Sequence, residues 1–111
     1  MDLSDIEKLE APAKVLKLSE AIRIGAKLRP QSFGSFFDGE ATCAIGAAFE
    51  ARSGYPSRDP NKIVVVVPEA LSLYRGIHVG LSDIGLKIVQ RNDYLDATRE
   101  EIADWLEAQG Y

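Results

Sequence analysis

The run Thr42-Cys43-Ala44-Ile45-Gly46-Ala47-Ala48-Phe49-Glu50-Ala51-Arg52 carries small or apolar residues on almost every side of a helix. A helix with so little polar face belongs in the interior, where glycine and alanine let neighbouring backbones approach closely. The other elements must therefore be laid around this one, which is expected to be the central helix. The chain has 111 residues, close to the ~100–150 that usually build one core. It is read as a single globular domain over 1–111, with 1–11 frayed.

The flanking segments supply the packing partners. Ser4 and Glu7 have the spacing of a capping box, which suggests a short helix over 4–9, and Pro12 suits the first turn of the next helix. From Ala13 to Leu28, Val15, Leu18, Ile22, Gly25 and Ala26 share one helical arc, with Lys17, Glu20, Arg23 and Lys27 opposite. Leu16 and Ile24 fall on or beside the charged arc. They are either the margin of a wide buried face or a small contact spot for a partner. Pro30 stops the helix, because a residue before proline is pushed out of the α region. In the aromatic stretch Ser32–Glu40, Asp38-Gly39 suits a tight hairpin turn.

Beyond the central helix, Ser53–Pro60 is turn chemistry and reads as a loop. Ile63-Val64-Val65-Val66-Val67 is β-branched and ends at Pro68, the signature of a short buried strand. Its pairing partner is either Phe33–Phe37 or Ile77-His78-Val79. Pro68, Glu69 and Gly76 bracket a two-turn helix. A helix over Asp83–Gln90 competes with a strand over Leu86–Val89. The last helix is the most explicit: Thr98 and Glu101 form a capping box, and Ile102, Trp105, Leu106 and Gln109 share a face that Trp105 should anchor. The fold class is α+β and predominantly helical, with about four to five helices and a short hairpin or small sheet.

Composition excludes several classes of function. Hydrophobic residues make up 46% and charged residues 27%, a folded soluble balance. The longest uncharged apolar run, Ile63–Val67, is far short of the ~20 residues a membrane helix needs. The N-terminus lacks the basic and apolar regions of a secretory signal, so a cytoplasmic protein is expected. The net charge of −4 opposes nucleic-acid binding, which relies on basic patches. The basic face formed by Lys17, Arg23 and Lys27 is diluted by Glu20.

Three stretches are distinctive together: Arg29-Pro30-Gln31-Ser32-Phe33-Gly34, Thr42-Cys43-Ala44-Ile45-Gly46-Ala47-Ala48, and Asn92-Asp93 followed by Thr98-Arg99-Glu100-Glu101-Ile102-Ala103-Asp104-Trp105-Leu106. In order and wording they resemble a group of small bacterial and phage proteins with a Cys-Ala-hydrophobic-Gly-Ala helix start and an Asn-Asp before a final Thr-Arg-Glu helix. The resemblance implies a shared small fold and a bacterial or phage setting, and no activity. Some members carry a further cysteine pair in the middle segment. That pair is absent here, so no metal role follows from it.

One place remains for chemistry. Cys43 is the single cysteine and stands at a helix start, where amides and the dipole favour a thiolate. Free cysteine among Ala, Ile and Gly is more often a core residue. A thiol enzyme would need His78, the one histidine, as base, with Asn92 or Asp93 to orient it. Nothing in the spacing links these three. Glu50 lies two turns after Cys43 on the same side and is either a carboxylate near the thiol, a solvent-facing edge of the helix, or a partner for Arg52 or Arg75. Asn92-Asp93 reads by default as a helix cap and turn. Phosphate-loop motifs are absent, one His and one Cys do not make a metal site, and no cofactor is expected. The leading expectation is a non-enzymatic interaction or regulatory module whose candidate contact is Leu16 with Ile24. The alternative is a small thiol-dependent enzyme using Cys43, His78 and Asp93 or Asn92.

Overall fold

A computed structural model describes residues 16–111. The helix expected over 4–9 and the first residues of the next lie outside them. The elements run α1 (Leu18–Ala26), β1 (Phe37–Asp38), β2 (Ala41–Thr42), α2 (Ala44–Ser53), α3 (Pro60–Val66), β3 (Leu71–Tyr74), β4 (His78–Leu81), α4 (Asp83–Val89), a π-helical turn (Gln90–Tyr94) and α5 (Arg99–Ala108). The fold is thus a mostly helical α+β domain with two small antiparallel sheets, β1-β2 and β3-β4.

The small-residue helix is central, as its composition demands. Ala44 through Glu50 are all buried, Cys43 caps the start through its sulfur, and Gly54 at φ 89° closes the end in the left-handed conformation glycine favours. Helix α1 crosses α2 at Gly25, where a Cβ would collide with the Ala47 carbonyl. Leu18, Ala21 and Ile22 complete the seam. Helix α5 lies against α1. Its capping box of Thr98 and Glu101 is present in both directions. Its anchors are Ile102, Ala103 and Leu106; Trp105 is half-buried at the margin, with the Arg91 guanidinium 3.7 Å from its ring centroid.

Two arginines, Arg99 buried and Arg52 partly buried, tie the ends of the helices together. Arg99 donates to the carbonyls of Ala26, Arg29 and Thr42 and to the Thr42 hydroxyl. It thereby satisfies acceptors that α1 leaves open at its C-terminus. Burial pulls its pKa below the usual arginine value. Arg52 grips both oxygens of Glu69 at 2.8 and 2.7 Å and also donates to the carbonyls of Leu16 and Val66. Burial pushes the Glu69 carboxyl up, but the hydrogen bond and charge of Arg52 outweigh it and leave the pKa lowered.

The middle of the chain departs from the expectations drawn from sequence. Ile63–Val67 is not a strand. Asp59 caps Asn61 and Pro60 occupies the first turn of α3, so the local start signal prevails over β propensity. Burial follows a helical period: Ile63 and Val67 are buried while Val65 is 76% exposed. The bracketed helix after Pro68 is also absent. Leu71–Tyr74 pairs instead with His78–Leu81. The hairpin turns at Arg75 (φ 55°) and Gly76 (φ 73°), so Gly76 supplies positive φ to a turn rather than a helix stop. The expected hairpin forms with Phe37 opposite Thr42 and Asp38 opposite Ala41, so its two-residue loop is Gly39-Glu40 rather than Asp38-Gly39, and Asp83–Val89 is helix rather than strand.

Candidate functional site

A cavity of about 460 Å³ opens at the start of α2, between the β1 segment, β4, α4 and the π-helical turn. That volume lies within the ~300–1,000 Å³ of small-ligand sites. Its walls are Phe36, Phe37, Ile45, Leu81, Ile88 and Val89; its polar lining includes Cys43, Asn92 and Asp93, with Asp38 and Arg58 exposed at the rim.

Local structure explains how these side chains meet. Gly46 lets the strand side approach: a Cβ there would strike the Phe36 carbonyl, which also accepts from the Cys43 amide at 3.3 Å. That contact holds Phe36 against the helix start. On the other side, α4 widens into the π turn, a local geometry often found at functional positions, and this turn carries Asn92 and Asp93.

Asn92 is 1% exposed and its amide is fully used. Its Oδ1 accepts from the Ala44 amide at 3.1 Å and from Gln31 at 3.0 Å. Its Nδ2 donates to the Ser32 carbonyl at 2.9 Å and to Asp93 Oδ1 at 2.8 Å. One side chain therefore caps α2 from a remote segment and fixes Asp93. The same Asp93 oxygen accepts from the Gly34 amide at 3.0 Å. Asp93 Oδ2 takes no hydrogen bond from the described residues.

Cys43 is 6% exposed, and its sulfur accepts from the Gly46 amide at 3.5 Å. Burial pushes the thiol up to about 11, against the opposing pull of the Gly46 and Ile45 amides, and the Asp93 charge adds to the rise. The helix start does favour a thiolate, as expected from sequence, but desolvation is the larger effect.

Of the sequence candidates, the structure brings together Cys43, Asn92 and Asp93. His78 stands apart. It is exposed on β4, on the sheet face shared with Ser72, Tyr74 and Gly80, whereas Leu81, which lines the cavity, is on the opposite face. Glu50 is buried and clamps Arg29 Nε at 2.8 and 2.9 Å, rather than pairing with Arg52 or Arg75. Of the expected Leu16–Ile24 spot, Leu16 is partly buried and Ile24 is exposed. Leu16 precedes α1 and packs against the core. Arg23 is engaged by Asp104 and Glu107, which further neutralises the basic face. Among the described residues no three His, Cys, Asp or Glu side chains gather to hold a metal ion, and no helix is long and apolar enough to cross a membrane.

Sequence reasoning missed Phe36, Leu81 and Val89 as lining residues because their meeting depends on tertiary contacts. The signal for the region was the Phe-rich stretch next to the Asp-Gly dipeptide. Comparison of the chain with protein-family models, curated proteins and solved structures found no match.

Proposed function

We propose that this protein is a non-enzymatic interaction module, of bacterial or phage setting and cytoplasmic, whose cavity receives an apolar group of a protein partner. The observation that carries this reading is the lining itself. Two phenylalanines and four branched aliphatic side chains surround the space, and the thiol on its floor is held protonated near neutral pH. Apolar concave sites with a few placed polar groups are built to bind. A thiol nucleophile would need the reverse, a lowered pKa and a neighbouring base.

Continuity of the apolar surface favours a protein segment over a compact small molecule. Cross-strand register puts Leu71, Leu73, Val79 and Leu81 on one face of the β3-β4 hairpin. Leu81 enters the cavity wall, Val79 packs at the core margin, and Leu73 is 51% exposed. The strip runs outward from the cavity along the hairpin.

The test is a titration of the full chain with 4-phenylbutanol, a neutral apolar probe, followed by amide NMR shifts. Shifts centred on Gly34, Cys43, Ile45 and Val89 are expected. In parallel, iodoacetamide should label native Cys43 about a hundredfold more slowly than the unfolded chain at pH 8, as expected from the rise from 9.0 to about 11. No localised shifts, or native labelling as fast as unfolded and persisting below pH 7, would overturn the reading.

A further inference from the structure

The chemistry at the mouth narrows what the apolar group must carry. Asp93 is held by two hydrogen bonds to one oxygen, from the Gly34 amide and Asn92 Nδ2. Its other oxygen, Oδ2, takes no hydrogen bond from the described residues. Its side chain is half-buried and lines the cavity beside the apolar wall. Asp38 lines the same space, and Arg58 offsets only one of these two carboxylates. A fixed carboxylate next to a low-dielectric wall is a site for a cation attached to an apolar body, because the charge-assisted hydrogen bond needs no reorganisation of the acceptor.

Resting on the interaction reading above, we infer that the cavity selects a partner segment in which a lysine adjoins an apolar anchor, with the ammonium on Asp93 Oδ2 and the anchor against Phe36, Ile45, Leu81 and Val89. Net negative charge at the mouth supplies the complementarity. The exposed strip of Val79 and Leu73 supplies the length that an extended segment requires. An acidic partner is disfavoured, since it would desolvate Asp93 against a like charge.

Three isosteric probes test the inference on the full chain: 4-phenylbutylamine, 4-phenylbutanol and 4-phenylbutyrate, with affinities taken from NMR shift titrations at low salt. The amine should bind about five- to tenfold more tightly than the alcohol, with the butyrate weakest. Added salt should shrink the gap. Asp93→Asn keeps an oxygen to accept from Gly34 and Asn92, so it should fold. It should bring the amine's affinity down to that of the alcohol on the same variant. A capped Leu-Phe-Lys-Leu peptide should bind more tightly than the free amine and more tightly than the Gln counterpart.

Equal binding of amine and alcohol would overturn the lysine inference and leave the apolar reading standing. No binding of any probe would overturn both. An amine preference that survives Asp93→Asn would overturn the assignment to Asp93. Amine binding without peptide binding would make the occupant a free amine and overturn the partner segment.

Discussion

The α1-α2-α5 side and the hairpin-cavity side of this molecule are built on opposite rules. On the helical side Leu18, Ile22, Phe49, Ile102 and Leu106 are all essentially inaccessible, and backbones touch at Gly25 and Ala47. On the other side a cavity stays open beneath Phe36 and Val89, while Leu73, Ile77, Tyr94 and Leu95 are 51–79% exposed. An isolated two-stranded hairpin is marginal without further packing, so the β3-β4 unit depends on Leu71 and Val79 being seated on the helical core. The helical side supplies stability, and the hairpin-cavity side carries the open cavity and much of the exposed apolar surface.

The most direct way to break this contrast is to hollow out the helical side. Phe49→Ala removes a fully buried ring that meets Tyr55 edge-on at 5.4 Å, and it should cost about 3–5 kcal/mol by urea denaturation. Val89→Ala, at the cavity wall and half-buried, should cost about 1 kcal/mol. Similar costs for the two would mean that the cavity side is as tightly packed as the helices.

The junction between the two regions is Asn92. Asn92→Asp keeps the shape but removes both Nδ2 donors and sets a second carboxylate beside Asp93. A loss of about 3 kcal/mol at neutral pH is expected. Lowering the pH should recover part of that loss as the new carboxyl protonates and donates again. Stability of the variant that falls further with acid than that of the native chain would refute this account of the network.

How much of the contrast was legible follows from the range of the interactions. The Thr98–Glu101 capping box and the buried α2 are written within a few residues and form as read; the hairpin marked by Asp38-Gly39 forms with its loop one residue later, at Gly39-Glu40. The run Ile63–Val67 misled because five β-branched residues look like strand until Asp59 and Pro60 are weighed as a helix start. Trp105 was overrated as an anchor because it and Ala103 flank the Ile102–Leu106 stripe on opposite sides, and helical phase alone does not say which flank is covered; Ala103 takes the buried place. The pairing of Cys43 with Asn92 and Asp93 was visible only as three polar residues of unknown distance. The cavity depends on Phe36, Leu81 and Val89 arriving from three segments, which no local pattern encodes.

The Cys43 thiol lies where the two regions meet, and its titration reports how dry that place is. Its folded pKa, about 11, lies above the ordinary 9.0. The neutral thiol therefore favours the folded state fully below pH 9, and that contribution is lost as the pH rises from 9 to 11, because the unfolded chain ionises first. The stability difference between the native chain and Cys43→Ala should narrow by up to about 3 kcal/mol across that window, measured as urea midpoints at matched pH. A constant difference would mean that water reaches the sulfur and that the cavity floor is wet.

The smallest effect sharpens the division between folding and binding. Leu73 lies on the apolar face of the hairpin but is half-exposed, so Leu73→Ser should change stability by less than about 0.5–1 kcal/mol, within the spread of surface substitutions. If the strip from Leu81 to Leu73 receives a partner segment, the same change should weaken the capped Leu-Phe-Lys-Leu peptide severalfold and leave the small probe 4-phenylbutanol unaffected. The peptide spans cavity and hairpin, whereas the alcohol occupies the cavity alone. Loss of both affinities together would place Leu73 in the support of the cavity, and the hairpin would then belong to the scaffold rather than to the binding surface.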